Sequence, residues 1–203
     1  MCSRLGTAEE KMPARNSENG FRLVSCSSVG PIKCVDRIVQ ALAVLDDSLS
    51  VEWVHIGDGE SFGQLQKMVR NLLSEKKNIR CKLLGWVAHQ NVLQLYRDEP
   101  WDCFITTSSS EGGCPVSVQE AMAFGIPVIG TAVGGITELL VGSENILLPP
   151  DPKPEIVAAA ITKIYNMSPE ERVNLCCENR QRWCEFCNAD KNGRILAETI
   201  GTC

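Results

Sequence analysis

Six short, mostly apolar runs recur along this chain: FRLVSCS (21–27), VEWVHIG (51–57), IRCKLLG (79–85), WDCFITT (101–107), PVIGTAV (127–133) and NILLP (145–149). Their apolar residues are continuous rather than alternating, the pattern of strands buried on both faces. The stretches between them carry helical periodicity. Val35, Ile38, Val39, Leu42 and Leu45 fall at i, i+3, i+4 spacing, as do Leu65, Met68, Val69, Leu72 and Leu73. A strand-then-helix repeat requires right-handed crossovers, so the chain is expected to be α/β, a doubly wound, mostly parallel sheet with helices on both faces. SPEERVN starts one of the C-terminal helices, with Ser168 as cap and Pro169 in the first turn. Ligands of such sheets bind beyond the carboxyl ends of the strands, so the loops there are where chemistry is sought.

With 203 residues the chain is long enough for one large core. Residues 1–20 are polar and irregular and read as a linker; 21–203 read as the domain with its helical tail. A net charge of −5 and a pI near 5.2 argue against a nucleic-acid surface and confine any anion site to a local pocket. No apolar run reaches the roughly 20 residues that span a bilayer, and the N-terminus has no apolar signal core, so a cytoplasmic location is expected. Eleven cysteines are scattered where small apolar residues would fit, and no disulfides are expected. Cys184 and Cys187 have zinc-ligand spacing. On one continuous helix, however, Cys176, Cys177 and Cys184 form a packing stripe, and no metal is expected.

Four strand ends could carry chemistry. In SSVGPIK, Gly30 and Pro31 turn the chain and Lys33 stands at the start of the next helix, a setting that suits a phosphate. In GDGE, Gly57 permits close backbone approach, while Asp58 and Gly59 also fit an ordinary turn and helix cap. In GWVAHQ, Val87 and its neighbours could present backbone groups to a flat base, and His89 reads as a helix-start residue. His55, inside a strand, reads as a satisfied core histidine.

The fourth is SSSEGGCPVSVQEAMAFGIPVIGTAVGG. Pro115 suits a first helical position, and the amides of Gly112, Gly113 and Cys114 would lie at that helix N-terminus. At 100° per residue Val118, Ala121 and Met122 share a face, and Glu120 points nearly opposite, free for a ligand or for solvent. Glu111 hangs over the same loop. Carboxylates can accept hydroxyl hydrogen bonds from a sugar, and the glycines of PVIGTAVGG let backbone approach a phosphate.

In combination these segments, with KLLGWVAHQNVLQLY and NGRILAETI, resemble the C-terminal, donor-binding half of retaining glycosyltransferases of the GT-B fold, the family 4 or group 1 class. The resemblance implies a Rossmann-like half of a GT-B enzyme of hexosyltransferase type, serving polysaccharide assembly and using a nucleotide-diphosphate sugar without a metal cofactor. It implies that Glu111 meets the donor sugar hydroxyls, Glu120 the nucleotide ribose, Lys33 the diphosphate, and the loop at Val87 the base. Gly30, Gly57, Gly112, Gly113, Cys114, Pro115 and Val116 join the donor site, with Glu111 and Lys33 as its catalytic pair.

Three departures stand out. Eight residues separate Glu111 from Glu120, one more than in the family, an excess expected to be absorbed at Gly112 or Gly113. Ser28 occupies the place of an arginine that would neutralise the leaving diphosphate together with Lys33. SRLGTAEEK resembles the family's interdomain hinge, so the acceptor domain is expected to be absent and the chain alone to bind donor without transferring it. The acceptor, a saccharide or lipid-linked glycan, would be met through that missing domain; peripheral membrane association of the full enzyme and self-association are further expectations. A nucleotide-sugar-binding or partner-docking module without catalysis, or an epimerase-like fragment, remains open.

Overall fold

The computed structural model describes residues 20–201, so the linker read over 1–20 lies, but for Gly20, outside the described residues. All six apolar runs become strands of one parallel sheet: β1 (Phe21–Cys26), β2 (Val51–Ile56), β3 (Ile79–Leu83), β4 (Cys103–Thr106), β5 (Val128–Thr131) and β6 (Ile146–Leu148). Their order is β3-β2-β1-β4-β5-β6, the doubly wound arrangement whose direction of winding reverses between β1 and β4.

Alternate residues of each strand feed two cores. Leu23, Trp53, Ile105 and Ile129 pack on one face under α1 (Asp36–Val44), α2 (Phe62–Leu73) and, after β6, α6 (Pro154–Tyr165). Val24, Val54, Phe104 and Val128 pack on the other, beneath α3 (His89–Asp98), α4 (Val116–Ala123) and α5 (Gly135–Leu140). The predicted stripe of α1 is buried throughout. In α2, Leu65 and Leu73 are buried but Leu72 faces solvent, because the helix meets the sheet along the 65–73 row.

The C-terminal helices close the structure: α7 (Pro169–Arg182), one π-helical turn (Trp183–Cys187) and α8 (Ala189–Gly201). Ser168 caps α7 through a reciprocal pair. Glu171 N donates to Ser168 Oγ at 3.2 Å, and Ser168 N donates to Glu171 Oε2 at 2.8 Å. The expected cysteine stripe does not form. Cys176 and Cys187 are buried while Cys177 and Cys184 are exposed: only the Leu175, Cys176, Asn179 side of α7 is buried, and the π turn that follows carries Trp183 and Cys187 into the second core. Among the described residues no group of three or more His, Cys, Asp or Glu side chains gathers as a metal site would require, and no helix is long and apolar enough to cross a membrane.

Candidate functional site

A cleft of about 560 Å³ opens beyond the carboxyl ends of the strands, floored by Cys26, Ser27 and Ser28 after β1 and by Ile56 and Gly57 of β2's end. Lys33, Glu111, Glu120 and His89 are among its lining residues, with the thiols of Cys26 and Cys114. The chain following β1 is stitched to the chain following β4: Ser109 N donates to Ile32 O at 2.8 Å, and Thr107 Oγ1 to Cys34 O at 2.8 Å. These bonds bring Lys33 to Glu111, and Nζ donates to both carboxylate oxygens at 2.7 and 2.8 Å. Both side chains are largely shielded, with 27% and 10% of their surface exposed. Lys33 does not begin a helix, as the sequence led us to expect. It sits in the turn closed by its own amide onto Gly30 O at 3.1 Å. Cys34 follows with φ 47°, and α1 begins only at Asp36. Charge at this point therefore comes from the lysine side chain and not from helix amides.

The glycines do different work from that expected of them. Gly57 has φ 137°, and a Cβ there would lie 1.9 Å from Ser27 O. Its close approach is thus to the neighbouring loop. Gly57 N also donates to Gly85 O at 2.8 Å, and Val29 N to Asp58 O at 3.0 Å, so the loops after β1, β2 and β3 are pinned together. Asp58 is not a helix cap: Oδ1 accepts from the next residue, Gly59 N, and α2 starts after Ser61. In PVIGTAVGG the last two glycines press on the loop bearing Glu111. Gly134, at φ 48°, and Gly135 would place a Cβ 2.1 Å from Glu111 O and 2.5 Å from Cys114 N. Gly112 and Gly113 have neither crowding nor positive φ. Residues 112–114, between the two glutamates, form an ordinary bend. The helix behind this bend begins at Val116, with Pro115 extended before it (ψ 131°) as the N-cap residue. The amides of Gly112, Gly113 and Cys114 therefore precede the helix.

At the other end of the cleft Glu120 turns inward, its side chain 13% exposed, while Val118, Ala121 and Met122 of the same helix are fully buried. His89, the first residue of α3, reaches across, and Nε2 meets Glu120 Oε1. The Cys26 thiol and Tyr96 hydroxyl lie beside them. Burial pushes Cys26 up to about 11 and Tyr96 well above the ordinary phenol range, so both stay neutral. Cys114 is also raised, by desolvation and then by Glu138, and stays a thiol rather than a nucleophilic thiolate near neutral pH.

His55 proves only half satisfied. Trp53 Nε1 donates to Ser25 Oγ at 2.9 Å, and Ser25 Oγ lies 2.9 Å from His55 Nδ1. An indole can only donate, so Ser25 Oγ accepts from Trp53 and uses its remaining capacity, one proton and a second lone pair, toward Nδ1. The other ring nitrogen, Nε2, is buried with no hydrogen-bond partner among the described residues.

Of the residues singled out in the sequence, Lys33, Gly57, Val87, Glu111, Gly113, Cys114, Pro115, Val116 and Glu120 line the one cleft. Gly30 and Gly112 lie instead in an adjoining depression of about 420 Å³ that shares Ser28, Lys33 and Glu111 with it. Sequence reasoning did not place His89, Cys26, Ser117 or the 77% exposed Trp86 in the cleft. For Trp86 the signal was present: a large aromatic in a polar loop at a strand end, flanked by the glycine at Gly85.

The six-stranded Rossmann-like sheet thus has a cleft at its switch point, lined by two glutamates and a lysine, where doubly wound sheets hold their ligands. The family model for glycosyl transferases group 1 matches residues 7–183, and the chain belongs to that family. It is 31% identical over 124 residues to N-acetyl-alpha-D-glucosaminyl L-malate synthase of Bacillus anthracis, covering 61% of this chain and 30% of the relative. It is 25% identical over 171 residues to the amylovoran biosynthesis glycosyltransferase AmsK of Erwinia amylovora, covering 80% of this chain and 41% of the relative. The fold matches that of Anabaena Alr3699/HepE in complex with UDP-glucose, with a TM-score of 0.76 and 22% identity over 91% of this chain and 50% of that one. The chain thus spans less than half the length of these curated relatives.

Proposed function

We propose that this cleft binds a nucleotide-diphosphate sugar and that the chain is the C-terminal donor half of a retaining, family 4 glycosyltransferase of hexosyltransferase type. The observation that carries the reading is one cleft with Lys33 and Glu111 joined at one end and Glu120 at the other. Lys33 would meet the diphosphate, Glu111 the sugar hydroxyls and Glu120 the ribose, with the loop at Trp86 and Val87 against the base. Departure of a nucleoside diphosphate builds negative charge that must be compensated, and here Lys33 does so in place of a metal. A diphosphate entering the cleft would draw Lys33 from Glu111, leaving that carboxylate to accept sugar hydroxyls. HepE, crystallised with UDP-glucose, supports this class of donor. A saccharide or lipid-linked acceptor, membrane association of the whole enzyme, self-association and a cytoplasmic location belong to the same proposal. A second reading, a binding module without chemistry, draws on Ser28, which lines the cleft where the family's arginine would add charge.

Calorimetric titration with nucleoside diphosphates and their sugars tests the reading, which fails if none binds. Two variants divide the site. Lys33→Ala should weaken a nucleoside diphosphate by about 2 kcal/mol, the worth of a charge-assisted hydrogen bond, and leave the bare nucleoside nearly unchanged; equal losses for the two ligands refute a phosphate role. Glu120→Gln keeps the shape but removes the charge, and should cost nucleotide binding about 1.5 to 3 kcal/mol. Unchanged affinity removes Glu120 from the site.

A further inference from the structure

We propose that His89 is a positioning residue for Glu120, holding one carboxylate oxygen so that the other is presented to neighbouring hydroxyls of a ribose. The inference rests on the ribose reading of Glu120 given above. Ala88, extended at ψ 138°, starts α3 at the cleft edge, and Val92, one turn on and buried, anchors the helix beneath it. His89 is thereby set on the cleft side of α3, 31 residues from its partner in sequence. A carboxylate oxygen can only accept, so Nε2 carries the proton and donates it to Oε1. The bond occupies Oε1; Oε2 makes no hydrogen bond to another described residue. Two further groups near Glu120, the Cys26 thiol and the Tyr96 hydroxyl, are both kept neutral by burial. His89 is therefore the group that sets the orientation of this carboxylate. A glutamate left to itself samples several rotamers in an open cleft. Fixing it before the ligand arrives removes that ordering cost from binding.

The test is calorimetry of wild type, His89→Ala and His89→Gln with UDP and with 2′,3′-dideoxyuridine diphosphate, or with the GDP or ADP pair if one of those binds tighter. Wild type should prefer the ribose form. His89→Ala should lose about 10-fold in affinity for the ribose form, the scale of one charge-assisted bond's contribution, with the dideoxy form bound within about twofold of wild type. His89→Gln, whose amide places a donor near the Nε2 position, should recover most of the loss. The side chain is 57% exposed, so the melting temperature should stay close to that of wild type. If His89→Ala still discriminates as wild type does, or weakens both ligands equally without rescue by glutamine, the positioning role is overturned while the ribose reading stands. A wild type that binds UDP without sensing its hydroxyls overturns both.

Discussion

Replacing Gly57 by alanine should destabilise the protein by about 4 kcal/mol, at the upper end for a single substitution, and should abolish the proposed nucleotide binding in whatever remains folded. Two separate effects combine. At φ 137° an alanine occupies a backbone conformation open essentially to glycine alone. Its methyl would also stand 1.9 Å from Ser27 O and 2.8 Å from the carbonyl carbon behind it, so backbone rather than a pliant side chain must yield. The amide of Gly57 is bonded to Gly85 O at 2.8 Å, and Ser27 N to Ile56 O at 3.0 Å. Relieving the clash therefore moves the loops that carry Ser27, Trp86 and Val87, all of which line the cleft. Gly63→Ala is the control: it lies in α2 with open space about it and should be neutral or slightly stabilising. Urea unfolding of both variants checks the prediction, and a Gly57→Ala protein as stable as wild type removes the steric argument.

The second large effect should appear on acidification. Burial pushes His55 down to about 4; the Ser27 backbone beside the ring offsets part of this, although it falls short of hydrogen-bond geometry. Since the unfolded imidazole titrates near its ordinary value of about 6.5, the unfolded chain binds the proton first as pH falls. Stability is then fully retained above pH 6.5 and declines between about 6.5 and 4, by about 3 kcal/mol in all. His55→Asn keeps an acceptor for Ser25 but has nothing to titrate there. Unfolding free energies measured from pH 7 to 4 should fall more steeply for wild type than for the variant by about this amount. Parallel curves would mean that His55 is charged without penalty in the fold.

The fold was legible because each strand and helix announces itself through local spacing of apolar residues. Runs such as VEWVHI must bury both faces, and the Ile38, Val39, Leu42 row must face a sheet. The charged residues of the site were legible as candidates from their type and place, carboxylates and a lysine beside glycine turns at strand ends, taken together with the family resemblance of the segments around them. Their pairings were not. Lys33 and Glu111 are 78 residues apart, and His89 and Glu120 are 31 apart. Lys33 meets Glu111 because β1 and β4 are neighbours and their following loops lie side by side, and His89 meets Glu120 because α3 and α4 cover the same face of the sheet. No local periodicity encodes that distance.

The glycines mark the same boundary. Their presence in GDGE and PVIGTAVGG signalled close approach, and close approach is what the fold shows. Sequence alone could not distinguish a ligand from a neighbouring carbonyl as the thing approached. The folded structure answers with the Ser27 and Glu111 backbones, because the excluded volume of a missing Cβ has meaning only when the opposing chain is in place. By itself, then, the sequence determined the α/β layering, the strands, and which charged and small residues stand at the strand ends, all of them properties of local spacing and chemical type. The tertiary structure alone decided which of those residues touch, which face the cleft, and that His55 Nε2 has no hydrogen-bond partner among the described residues, because these depend on distances through space.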